Sequence, residues 1–109
     1  MNTTDHKKRT KRFQRKQIET ALSRHFPYCP EDHRIQIIDN VLAKDWDKKT
    51  SMTQAVSIVV HNHIRHQMTD YENLIGKSGI LREETRIIVK PELDDWFEYW
   101  HSGTDTLKP

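Results

Sequence analysis

With 109 residues, 34% of them hydrophobic and 31% charged, the chain has room for one domain around one core, and no stretch approaches the ~18 apolar residues of a membrane span. Cys29 is the sole cysteine, which excludes an internal disulfide and a Cys-rich zinc site and fits a reducing, cytoplasmic setting. The formal net charge of +2 is unevenly placed: residues 1–16 hold Lys7, Lys8, Arg9, Lys11, Arg12, Arg15 and Lys16 against Asp5, a net of +6, and the remaining 93 residues sum to −4.

Residues 1–12 are polar and without apolar rhythm, so they are expected to be a disordered basic arm, with no apolar segment of a signal peptide behind the cations. A single helical domain is expected over residues 13–101, followed by a polar tail at 102–109. Ile18, Ala21, Leu22, His25 and Phe26 recur at steps of three and four, predicting a first helix that Pro27 ends. Pro30 suits the start of a second, with Glu31 and Asp32 at its positive end and Ile35, Ile38, Val41 and Leu42 as its buried stripe. Residues 44–50 read as a loop in which Trp46 folds back over the core.

Ser51 and Gln54 have the spacing of a capping box and open a helix to about His66. Ala55, Val56, Ile58, Val59, Val60 and Ile64 cover more than one face, which makes this the central helix. The β-branched run Ser57-Ile58-Val59-Val60 also fits a buried strand, but no other stretch offers it a partner. Thr69 and Glu72 repeat the capping-box spacing and predict a short helix with Tyr71, Leu74 and Ile75, broken at Gly76 and Gly79. Residues 81–89 form a further helical segment with Leu81, Ile88 and Val89 as contacts. Pro91 starts or kinks a last helix whose Leu93, Trp96, Phe97 and Trp100 share a face. The fold class is therefore all-α: a compact orthogonal bundle of five or six helices with a central apolar helix.

Seven histidines raise the question of a metal. His61 and His63 point in nearly opposite directions on a helix, because successive residues turn about 100°. His63 and His66 could share an ion, but two ligands without a third make a weak site. No metal and no cofactor is implied, and no Gly-rich phosphate loop or nucleophile elbow is present. The densest polar corner is Arg65, His66, Thr69, Asp70 and Tyr71. It reads either as a hydrogen-bonded joint between two helices, or as an anion contact in which Arg65 and His66 offer paired donors to a phosphate.

These residues also carry a resemblance. Arg65-His66-Gln67-Met68-Thr69-Asp70-Tyr71-Glu72-Asn73-Leu74-Ile75 resembles the Arg-His-x-x-Thr-Asp-Tyr-Asp-x-Leu-Leu hallmark of an uncharacterised bacterial and fungal domain family. Phe26-Pro27-Tyr28-Cys29-Pro30 is similar to the family's Phe-Pro-x-Cys-Pro, and Arg82 to Arg86 to its Arg-x-Glu-Ala-Arg with Thr85 in place of alanine. The loop before the central helix departs from the family's Gly/Arg-rich pattern, carrying Asp45, Trp46 and Asp47. Longer relatives with Cys-rich leaders resembling zinc ribbons imply nucleic-acid work.

The leading functional expectation is a non-enzymatic, nucleic-acid-associated module in which Lys7, Lys8, Arg9, Lys11, Arg12, Arg15 and Lys16 grip the DNA or RNA backbone. An alternative is a protein-interaction or self-association domain using Trp96, Phe97, Tyr99 and Trp100. A small hydrolase built on His63, His66 and Asp70 ranks last.

Overall fold

Apolar residues at helical spacing become helices whose stripes meet around one apolar helix. The structure, a computed structural model, describes residues 9–77 and 79–103. Lys7 and Lys8 of the arm, and the tail from residue 104, lie outside the described residues. In chain order the elements are β1 (Thr10–Lys11), α1 (Arg15–His25), α2 (Glu31–Ala43), β2 (Trp46–Asp47), α3 (Met52–Met68), α4 (Tyr71–Ile75) and α5 (Arg82–Ser102). The molecule is an all-α bundle, with five helices among the described residues and one minimal two-stranded ladder.

The central helix starts where its capping box places it. Gln54 N donates to Ser51 Oγ at 3.1 Å and Ser51 N donates to Gln54 Oε1 at 2.9 Å. Such a cap contributes about 1 kcal/mol to the helix. Helix α3 packs against α1, α2, α4 and α5, burying Ala55, Val56, Val59, Val60, His63 and Ile64. That double stripe is why the segment is apolar on more than one face, although Ile58 falls outside it and is exposed.

Three expectations change. Helix α2 buries Ile37 with Ile38 and Val41, while Ile35 is half exposed and Leu42 only partly covered. The stripe is rotated because α2 is wedged between α1 and α3 and so buries adjacent positions. Residues 81–89 and the segment after Pro91 form one continuous helix, α5, with Pro91 inside it. Pro91 is exposed and removes one hydrogen bond without ending the helix, because the flanking Val89 and Leu93 are both held in the core. Leu81 and Ile88, expected as core contacts, are exposed, and Ile87 with them; Thr85 and Val89 are the buried residues of that segment.

The third change concerns the arm. Its composition predicts no regular structure through residue 12, yet Thr10 and Lys11 pair antiparallel with Asp47 and Trp46, and Lys48 N donates to the Arg9 carbonyl at 3.0 Å. The partner strand lies some 35 residues away, so no local pattern announces it. Trp46 itself is buried as the sequence predicts, its Nε1 donating to the Val41 carbonyl at 3.0 Å.

Helix α5 ends at Gly103, whose φ of +79° places it in the left-handed region. A Cβ there would lie 2.7 Å from the Tyr28 ring, so both backbone and space select glycine.

Candidate functional site

The corner between α3 and α4 is a satisfied joint. Thr69 Oγ1 donates to the Arg65 carbonyl at 2.6 Å and accepts from Tyr71 N at 3.2 Å, closing the end of α3 and opening α4 with one hydroxyl. The expected Thr69–Glu72 capping box does not form: Asp70 occupies the cap position of α4, and the Glu72 carboxylate accepts from His66 Nδ1. His66 also stands edge-on to Tyr71, with ring centroids 4.9 Å apart. Tyr71 is buried, and the Arg65 guanidinium lies 5.9 Å from its ring centroid. Asp70 accepts from Asn73 Nδ2 at 3.0 Å.

Arg65 and His66 therefore do not converge as paired donors. Adjacent helix positions diverge by about 100°, and the structure commits His66 to Glu72 while Arg65 Nη1 donates to Asn62 Oδ1 at 2.9 Å.

A second cluster joins α2, α3 and α5. His33 Nδ1 and His63 Nε2 are 2.7 Å apart, and both rings stand beside Trp100, with centroids 5.4 and 6.1 Å away. His63 is 6% exposed. Burial, and secondarily the His33 ring, lowers its pKa from the ordinary 6.5. A neutral imidazole carries one proton, so one ring donates and the other accepts. His63 and His66 both line a hollow of about 340 Å³ with Asn40, Lys44, Asn62 and Gln67, yet each ring is already engaged, and Asp70 is turned to Asn73. Among the described residues no three His, Cys, Asp or Glu side chains converge to hold a metal ion. Cys29 is buried, which pushes its thiol pKa up to about 12, and the thiol donates to the Pro30 carbonyl at 3.6 Å.

Among the described residues, the arm cations Lys11, Arg12, Arg15 and Lys16 differ in their surroundings. Arg12 Nε meets Asp45 Oδ1 at 2.7 Å and Arg15 Nη2 meets Asp39 Oδ1 at 2.9 Å, both pairs solvent-exposed. Lys11 lies over the Phe13 ring at 5.1 Å. Lys16 turns instead toward a hollow of about 370 Å³ between α1 and the start of α3, lined by Lys16, Gln17, Thr20, Ala21, Arg24, His25, Met52 and Thr53. No carboxylate lines it. His25 Nε2 and Thr53 Oγ1 are 3.3 Å apart across its floor. Arg24 and Thr20 escape an arm-centred reading of the sequence, although Lys16, Thr20 and Arg24 recur at intervals of four and so share a helix face.

The aromatic helix is mostly turned inward. Trp100 is fully buried, and Trp96, Phe97 and Tyr99 pack partly covered against the core. Phe97 meets Phe26 edge-on at 5.0 Å and stacks on His61 at 4.1 Å. No helix is long and apolar enough to cross a membrane among the described residues.

No curated protein and no solved structure matches the chain. A family profile does, over residues 21–101, a span that contains all of α2, α3 and α4 and the Arg65–Tyr71 joint. The chain therefore belongs to the family described as an uncharacterized conserved protein, DUF2293.

Proposed function

We propose that the protein is a non-enzymatic module that associates with nucleic-acid backbone, gripping it with the basic arm and the Lys16–Arg24 face of α1. The observation that carries this reading is the hollow beside α1, where Lys16 and Arg24 stand with the Thr20 and Thr53 hydroxyls and His25 and without a lining carboxylate. Cations and hydroxyls are the groups that contact phosphates without reading sequence. The Arg12–Asp45 and Arg15–Asp39 pairs do not oppose it, because exposed pairs of this kind contribute about 0–1 kcal/mol and can exchange a carboxylate for a phosphate. A reducing, cytoplasmic setting accords with the free Cys29.

Fluorescence anisotropy with mixed-sequence DNA and RNA at about 50 mM salt tests it. Affinity is expected to fall steeply with salt, and to drop at least about tenfold on Lys16→Glu with Arg24→Glu. Absence of binding at low salt, or binding indifferent both to that double reversal and to deletion of residues 1–8, would reject the reading.

A second reading has its own observation. Leu81, Ile87 and Ile88 are 63%, 71% and 56% exposed on or beside one helix, next to a hollow that Gly79 and Ile80 share. This suits self-association through the start of α5, the end opposite its aromatic residues. Sedimentation should then show a concentration-dependent dimer that Ile87→Asp with Ile88→Asp abolishes; a monomer at all concentrations rules it out.

A further inference from the structure

Between α3 and α5 lies a small cleft of about 170 Å³, lined by none of the residues of the α1 hollow. It is lined by His61, Arg65, Arg86, Lys90, Leu93 and Asp94. Four of these can carry positive charge and one negative. Asp94 is taken by Lys90, whose Nζ lies 2.7 Å from its Oδ2. Arg65 is held in place without a carboxylate, by Asn62 Oδ1 on one side and the Tyr71 ring on the other. The Arg86 side chain makes no hydrogen bond or ion pair within the described residues.

Two guanidiniums sharing a cleft repel each other unless an anion lies between them, and their planar forks match tetrahedral oxyanions. The floor also fits that chemistry. His61 Nδ1 lies 3.1 Å from the Ser57 carbonyl, which only accepts, so Nδ1 carries the proton and Nε2 is left free. Stacking on Phe97 fixes the ring plane. Burial first, then Arg65 and Lys90, hold His61 below its ordinary pKa, while the Ser57 carbonyl and Asp94 oppose them. An anion in the cleft adds to that opposition and drives His61 to take a second proton on Nε2, where it becomes a further donor.

We propose that the α3–α5 cleft is a phosphate-binding site in which Arg65 and Arg86 clamp a phosphomonoester and Lys90 and His61 complete its donors. A compact terminal phosphate fits this volume better than a continuous phosphodiester chain does. The site does not depend on nucleic-acid binding by the α1 face, since none of its six residues lines that hollow.

The test is a titration of the full chain with inorganic phosphate at constant ionic strength, chloride being the control, followed by NMR of the His61 ring. Saturable binding that shifts the His61 resonance and raises its pKa is expected. Arg86→Gln, at an exposed position, should weaken binding at least about tenfold with the fold unchanged by circular dichroism. Arg65→Lys, which retains charge but loses the fork, should also weaken it. No saturable binding, binding that leaves His61 unmoved, or equal affinity in Arg86→Gln would overturn the proposal. Oligonucleotides with a 5′-phosphate or a 5′-hydroxyl identify the source. A preference for the phosphorylated strand that Arg86→Gln removes assigns the phosphate to a nucleic-acid end. Phosphate binding without that preference assigns it to a free phosphorylated molecule. Lys16→Glu with Arg24→Glu should leave inorganic phosphate binding intact, which separates this site from the α1 face.

Discussion

Trp100→Ala is expected to remove about 3–5 kcal/mol of folding stability, a large part of what a domain of this size has. Trp100 is fully buried at the meeting point of α2, α3 and α5, and its carbonyl accepts from Tyr28 N at 3.0 Å. Truncation opens a cavity beneath the His33–His63 pair, which the packed helices cannot collapse to fill. Trp100→Phe should cost much less, because the buried indole N–H finds no acceptor among the described residues and its removal breaks no hydrogen bond. Urea unfolding of the two variants checks this through their midpoints. If phenylalanine proved as damaging as alanine, the indole N–H would have a partner of real weight.

Lowering the pH from 7 to 5 should destabilise the protein through His63. Its folded-state pKa lies below the ordinary 6.5, so as pH falls the unfolded chain takes up the proton first. The neutral form's contribution is complete above about pH 6.5 and is lost as the pH drops through that value toward the folded-state pKa. His33 faces His63 at 2.7 Å and, after burial, is the second cause that holds the His63 pKa down. Burial lowers the pKa of His61 in the same direction, with smaller opposing and reinforcing contributions around it. Thermal melts at the two pH values should show the drop, each kcal/mol lost lowering Tm by about 4–8 °C. His63→Gln should start lower at pH 7 and fall less between pH 7 and pH 5. Equal slopes for the two proteins would mean that His63 does not stay neutral inside the fold.

The joint at residues 65–71 shows what a local pattern can resolve. A hydrogen-bonded joint between two helices is one of the two readings its spacing allows, and Thr69 and His66 both link α3 to α4. The partner of Glu72 does not follow: the capping-box spacing is satisfied, but His66 is the stronger competitor because it offers a polarised N–H to a carboxylate. Arg65 and Arg86 are 21 residues apart, so their shared cleft depends on how α5 crosses α3. The same holds for His33 and His63, which belong to different helices and carry no common motif.

From the sequence alone came the all-helical class, the cap at Ser51, the central position of the Met52–Met68 helix, the buried Trp46 and the separation of cations from acids along the chain. These are properties of neighbours within a few residues, where period, capping and charge act directly. Tertiary structure alone decided that Thr10–Lys11 would lie against Trp46–Asp47, that α2 would bury Ile37 rather than Ile35, and that α5 would run through Pro91 with Ile87 and Ile88 outside. Each depends on which distant surface competes for the same backbone edge or apolar face, and that competition is settled only when the helices pack together.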